Sequence, residues 1–114
     1  MGLHRAYIGQ LVIPSGTKPS NILSSPNLAM ARSIVFENAE SALTGTVTLQ
    51  GSHKDEAVAA DMVNVELNGS DVTVAAGKVQ QYDVNPGRSI RVNSGSNEAA
   101  DRTIEVFAVL SLAD

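Results

Sequence analysis

The residues able to carry chemistry in this sequence are few and far apart. Of the two histidines, His4 falls within residues 1–5, which read as a mobile N-terminus. His53 lies in Gly51-Ser52-His53-Lys54-Asp55-Glu56, beside two carboxylates. Those types suit a metal ion, but the second histidine is not at ligand spacing and Lys54 opposes a cation, so the segment reads as a solvated loop. A nucleophilic serine needs a base and an orienting group on a strained elbow. Neither Ser15-Gly16 nor Ser94-Gly95-Ser96 offers that setting. Asp55 and Glu56 are sequence neighbours, so on a strand they point to opposite faces rather than across a groove as glycoside cleavage requires. Gly45, Gly51, Gly69, Gly77, Gly87 and Gly95 are spread singly, with neither P-loop nor dinucleotide spacing. The expectation is no catalytic residue, no metal and no cofactor: a protein that is not an enzyme.

Composition narrows the partners. There is no cysteine, which excludes disulfides, thiol catalysis and Cys-based zinc sites together. Eight basic residues are scattered among twelve acidic ones, for a net charge of −4. A nucleic-acid surface needs clustered Lys and Arg to neutralise phosphates, and an anionic membrane surface needs the same. Neither partner is expected. Sugar faces stack on exposed aromatics, yet the chain has no Trp, two Tyr and two Phe. Phe36 and Phe107 read as core or interface, which leaves Tyr7 and Tyr82 for a glycan-binding alternative. Arg88, Arg91 and Arg102 are read as pairing with Asp83 and Asp101, across strands or subunits, at solvated surface positions of little weight.

The elements that must position these residues are strands. A length of 114 residues is that of one domain, spanning 1–114. Hydrophobic residues make up 43% and charged residues only 18%, with Ser, Thr, Asn and Gln filling exposed strand faces and turns. No stretch approaches the roughly 18 apolar residues of a membrane helix, and the first residues lack a signal peptide's apolar run. A soluble protein made in the cytoplasm is expected.

Alternation with period two dominates. Thr46–Gln50 puts Val47 and Leu49 on one face, and Val63–Leu67 repeats the arrangement. Asn68-Gly69 follows, the hairpin signal in which both residues tolerate positive φ, and Asp71–Val74 resumes the alternation. Val79–Val84 and Ser89–Asn93 are strands around an Asn85-Pro86-Gly87 turn, and Ser94–Asn97 is a flexible connection. Arg32–Glu37 is a strand, Asn21–Leu23 a short one, Ser24–Ala31 a loop or helical turn, and Asp55–Asp61 room for a short helix.

Two segments are apolar on both faces. Ala6–Ile13 carries Tyr7, Leu11 and Ile13 on one and Ile8 and Val12 on the other. In Thr103–Leu112, Ile104, Val106, Ala108, Leu110 and Leu112 line one face, while Phe107 and Val109 lie on the other. Such strands are central or covered by another subunit. Tyr7, Ile8, Val12, Phe107, Val109 and Leu112 are therefore the candidate interface. About seven or eight short strands, at intervals of about 8–12 residues and without a long amphipathic helix, predict an all-β fold, an antiparallel β-sandwich or jelly roll.

Leu11-Val12-Ile13-Pro14-Ser15-Gly16-Thr17, then Leu43-Thr44-Gly45-Thr46-Val47-Thr48-Leu49-Gln50-Gly51-Ser52, then the valine-rich hairpin, Ile90-Arg91-Val92-Asn93-Ser94-Gly95-Ser96 and Ala99-Ala100-Asp101-Arg102 follow in order. This order resembles the small β-sandwich structural proteins of tailed bacteriophages, in particular capsid decoration (cement) proteins, from Leu11 to Val106. The resemblance implies a homodimer or homotrimer on the outer capsid surface of a virion. There it binds the major capsid protein and stabilises the head, having been made in the host cytoplasm. A tail or fibre adaptor, or a receptor- or glycan-binding module, is the alternative.

Overall fold

The alternating segments become the strands they predict. The computed structural model describes residues 3–111. Eleven strand segments follow in order: β1 (Leu3–Ile13), β2 (Leu23–Ser24), β3 (Ser33–Glu37), β4 (Val47–Ser52), β5 (Val63–Asn64), β6 (Glu66–Leu67), β7 (Ser70–Asp71), β8 (Thr73–Val74), β9 (Val79–Tyr82), β10 (Ser89–Ser94) and β11 (Arg102–Ser111). Helical structure among the described residues is limited to α1 (Pro26–Ala29) and a 3-10 turn at Ala59–Asp61. In α1 the capping Ser25 hydroxyl accepts from the Asn27 N–H, and Pro26 opens the turn at no cost in hydrogen bonds.

Two antiparallel sheets face each other. One runs β1-β11-β3-β9, and the other β2-β10-β4-β5 with β8 also on β4. The antiparallel β-sandwich expected from the pattern is the architecture observed. Between the sheets, Leu11, Ile34, Phe36, Ile104 and Val106 meet Val47, Leu49, Val72, Ile90 and Val92, and Leu28 of α1 joins them. Each such side chain contributes about 1.5–3 kcal/mol on leaving water, and this apolar layer is the main source of stability.

The hairpin of residues 63–74 departs from simple arms. Asn68 and Gly69 adopt φ of 55° and 80°, the positive values of a type I′ turn. Each arm is split, however, where Leu49 of β4 bonds to both of them. The Val65 N–H donates to the Leu49 carbonyl at 3.0 Å, the Leu49 N–H to the Val72 carbonyl at 2.8 Å, and the Val72 N–H to the Val65 carbonyl at 2.9 Å. Thus β4 pairs with β5 at Gln50–Gly51 and with β8 at Val47–Thr48.

β1 corrects the sequence reading in two ways. It begins at Leu3 rather than Ala6, so residues 3–5 of the expected mobile terminus pair with Ser111, Leu110 and Val109. Strand alternation also assumed an unbroken register, but Tyr7 pairs with Phe107 and Gly9 with Val106, leaving Ile8 as a bulge. Gly9 there takes φ 150°, which side chains rarely adopt. The bulge reverses which side faces inward. Tyr7 therefore points out, whereas Leu11 and Ile13, of the same parity, are fully buried.

The segment expected to be a flexible connection is held in place by a residue that sequence reading passed over. Glu98 is only 1% exposed. Its Oε1 accepts from the Thr44 N–H at 2.8 Å and Arg102 Nε at 2.9 Å, and its Oε2 from the Gly45 N–H at 3.0 Å and the Ser94 hydroxyl at 2.6 Å. The Glu98 main chain adds bonds to Thr17 and Gly16. One residue thus ties together the loop before β4, the loop after β10 and the loop after β1. Burial alone pushes its pKa up, but the bonds from Ser94, Thr44, Gly45 and Arg102 outweigh that and hold it at about 2.

Candidate interaction face

The outer face of the β1-β11-β3-β9 sheet collects side chains from both two-faced strands. Cross-strand register places Tyr7, Phe107, Val35 and Gln81 in one row. Gln10, Glu105, Glu37 and Val79 form the next row on one side, and Arg5, Val109 and Ser33 the next on the other, where the Ser33 hydroxyl donates to Asp83 just past the end of β9. Apolar groups occupy the middle and charged groups the rim, the layout of an interface core and its surround.

The patch is preorganised by contacts across strands. Tyr7 and Phe107 rings lie 5.2 Å apart and tilted by 57°, a favourable aromatic geometry. Arg5 also stacks on Phe107, its guanidinium carbon 3.9 Å from the ring centre, a cation–π contact worth about 0.5–1 kcal/mol when exposed. The same guanidinium reaches over β11 to an ion pair with Glu37. The Tyr7 hydroxyl donates to Glu105 at 2.8 Å, and this hydrogen bond, with some burial, raises the phenol's pKa and keeps it a neutral donor. Glu37 and Glu105 sit directly opposite each other. That like-charge pairing is offset by Arg5 on one and Tyr7 on the other.

The expected interface residues do not all share this face. Tyr7 is 55% exposed, Phe107 half-buried, and Val109 buried at the outer surface beside Arg5. Ile8, at the bulge, is half-buried and packs against the interior cluster instead. Val12 is half-buried, and its peptide is engaged by the Asn21 side chain. Leu112 lies outside the described residues. The patch also includes Arg5, Val35 and Val79, which sequence reading did not select. Val79 is 68% exposed and borders a groove of about 400 Å³ with Glu37, Lys78 and Glu105. Its signal was present in the alternation of Val79–Val84, but the pairing of β9 with β3 was not.

The other candidate positions are apart from this face. His53 through Glu56 are exposed, as a solvated loop should be. His53 borders a second groove of about 390 Å³ with Asp61, Val63, Asn64 and Pro86 on the opposite sheet. Tyr82 is turned inward: its hydroxyl donates to the Thr73 carbonyl at 2.7 Å, and its ring meets Phe36 at 6.3 Å. It is not paired with Tyr7 on a common sugar-stacking surface. The arginine pairings also differ from expectation. Arg102 bonds Glu98, Arg91 bonds Gln50 at 2.7 Å, and Arg88 forms an ion pair with Asp55 at 3.2 Å. Asp83 and Asp101 instead accept from Ser33 and the Ser15 N–H. Except for Arg102 and Glu98, four residues apart, these partners are distant in sequence and chosen by the fold, so spacing did not indicate them.

The sequence matches no protein-family model and no curated protein sequence. Among solved structures the chain is similar to the SPBc2 prophage-derived protein YomS, at a TM-score of 0.55 and 9% identity over 96% of each chain. It also aligns with a structure described as Bacillus endospore appendages, disulfide-linked pili, at a TM-score of 0.47 and 14% identity, covering 96% of this chain and 89% of that one. A third alignment, to the capsid asymmetric unit of cyanophage Pam1, has a TM-score of 0.46 and 13% identity, covering 96% and 86%. At these identities the first similarity establishes a shared fold.

Proposed function

We propose that this chain is a bacteriophage virion structural protein with no catalytic role, a capsid decoration protein. It binds the major capsid protein on the outer capsid surface, associates with copies of itself and stabilises the head. The observation that carries this reading is the preorganised outer face of the β1-β11-β3-β9 sheet. Its apolar centre of Tyr7 and Phe107, laid over the buried Val35, and its rim of opposite charges suit a protein partner.

The architecture agrees with this role. The strand order β1-β11-β3-β9 over β2-β10-β4 and the 63–74 hairpin supports the jelly-roll reading, an arrangement in which capsid domains are built. The fold shared with a prophage-derived protein points the same way, while fold alone does not specify function.

The test is to add purified protein to heads of its own phage from which it has been removed. Saturable binding with a stoichiometry set by the capsid lattice is expected. Failure to bind heads, with binding to isolated glycans, overturns the reading in favour of a receptor-binding module. Phe107→Asp is expected to weaken head binding by about tenfold or more, with circular dichroism unchanged. Wild-type affinity in that variant removes the outer face from the proposal.

A further inference from the structure

The four-stranded sheet ends in two edges that are finished differently. β9 presents four residues, whereas β1 runs for eleven. The direction of the β1 peptide groups follows from their neighbours. The Val109 carbonyl accepts from the Arg32 N–H at 2.8 Å, so it faces β3, and Phe107, two residues away on the strand, shares that direction. Arg5 pairs with Val109 and Tyr7 with Phe107. Both therefore turn their N–H and C=O groups away from β11 and out of the sheet.

Beyond the bulge the parity is shifted by one, so that Gln10 and Val12, opposite Glu105 and Thr103, turn outward, and there the protein supplies its own cap. Asn21 Nδ2 donates to the Gln10 carbonyl at 3.1 Å, Asn21 Oδ1 accepts from the Val12 N–H at 2.7 Å, and the Asn21 N–H donates to the Val12 carbonyl at 3.4 Å. Half of the edge is thus covered by a side chain imitating a strand. At Arg5–Tyr7 no such bond is made among the described residues. A long open edge is a template for another strand, and natural sheets cover or blunt such edges.

We propose that this half of β1 pairs antiparallel with β1 of a second copy, about a two-fold axis passing beside Ala6. The inference rests on the self-association in the proposed function and names its surface. Outward-turned residues must meet in the new ladder, and pairing Arg5 and Tyr7 among themselves leaves three registers. Arg5 against Arg5 sets like charges opposite each other. Tyr7 against Tyr7 brings the two bulges at Ile8 into the ladder. Arg5 against Tyr7 avoids both. It places each Arg5 beside the Tyr7–Glu105 hydrogen bond of the other copy, so that opposite charges approach, and it extends the stack of Arg5, Phe107 and Tyr7 across the axis. The two copies then share one continuous eight-stranded outer face. About four main-chain hydrogen bonds join them, so the dimer is concentration-dependent by itself and reinforced where a lattice aligns the copies.

In this register Ala6 faces Ala6, a non-hydrogen-bonded pair with the closest side chains of the ladder. The natural sequence has no cysteine, so single-cysteine variants report cleanly. Ala6→Cys is expected to form a disulfide-linked dimer under mild oxidation at least about tenfold faster than Lys54→Cys on the distant loop. Tyr7→Pro removes an N–H that β11 does not use and is expected to shift the solution mass to monomer while circular dichroism keeps its β signal. Wild-type protein that is monomeric at every concentration overturns self-association as a whole. An oligomer in which Ala6→Cys links no faster than Lys54→Cys, or which survives Tyr7→Pro, overturns the edge pairing alone.

Discussion

Glu98→Gln is expected to lower the unfolding free energy by about 3 kcal/mol, a large share of the roughly 5–15 kcal/mol available to a domain of this size. All four groups around the carboxylate are donors to it: the Thr44 and Gly45 N–H groups, the Ser94 hydroxyl and Arg102 Nε. A glutamine must aim its NH2 at one pair of them. If it faces Thr44 and Arg102, neither can accept a hydrogen bond. If it faces Ser94 and Gly45, the hydroxyl can rotate to accept but the Gly45 N–H cannot. Either orientation leaves a buried donor opposed, and in the first Arg102 keeps only Glu40, at 3.7 Å. Urea denaturation measures the effect, and a loss below about 1 kcal/mol would show that the cluster is not a structural lock.

The same residue sets the acid limit. Its carboxyl is held at about 2 in the folded protein against 4.5 ordinarily, so its folded-state pKa is lowered. The associated stability, about 3 kcal/mol, is fully present above pH 4.5 and is lost as pH falls towards 2. Thermal melts of the wild type should fall across that window, while those of Glu98→Gln, starting lower, should be flatter there. Parallel curves for the two proteins would refute the assignment.

Gly51→Ala is expected to cost about 3 kcal/mol, the upper end for overpacking. Gly51 lies in the centre of its sheet, between Ile90 and Val63. A Cβ built there meets the Pro86 carbonyl oxygen at 2.0 Å and the Val65 Cγ2 at 3.2 Å. The Pro86 turn cannot easily yield. Asn85 Nδ2 donates to the Ala29 and Ala31 carbonyls at 2.9 and 3.0 Å, and Asn85 Oδ1 accepts from the Gly87 N–H at 2.9 Å. Gly95→Ala is the matched control, since its nearest contact is an ordinary 3.8 Å. Its melting temperature should stay close to wild type. Equal stability of the two variants would mean that the turn is free to move.

Most strands were legible in the sequence because an antiparallel sandwich buries one face of each, and burial leaves a period-two imprint. Thr46–Gln50, Ser89–Asn93 and Thr103–Leu112 correspond closely to β4, β10 and β11, and Asn68-Gly69 took the positive φ values its chemistry favours. The residues of the candidate face were partly legible as a shared sheet face. Tyr7, Phe107 and Val109 stood out as apolar residues on otherwise satisfied strands. Val35 did not, because Ile34, Val35 and Phe36 form an unbroken apolar run in which period two is hidden.

What the sequence by itself determined is the all-β class, most strand positions and turn chemistry, all of which depend on neighbours a few residues away. Tertiary structure alone decided the rest. The bulge at Ile8 sends Tyr7 outward and Leu11 inward, and no alternation pattern marks where a register slips. Glu98 reads as an ordinary polar residue beside a Ser/Gly/Asn stretch, and becomes a lock only when loops more than fifty residues apart bring the Thr44 and Gly45 N–H groups to it. The open half of the β1 edge is likewise visible only when strand order and the Asn21 cap are known together. Hydrophobic pattern is a local consequence of burial, whereas hydrogen-bond partnership and edge exposure are properties of the assembled sheets.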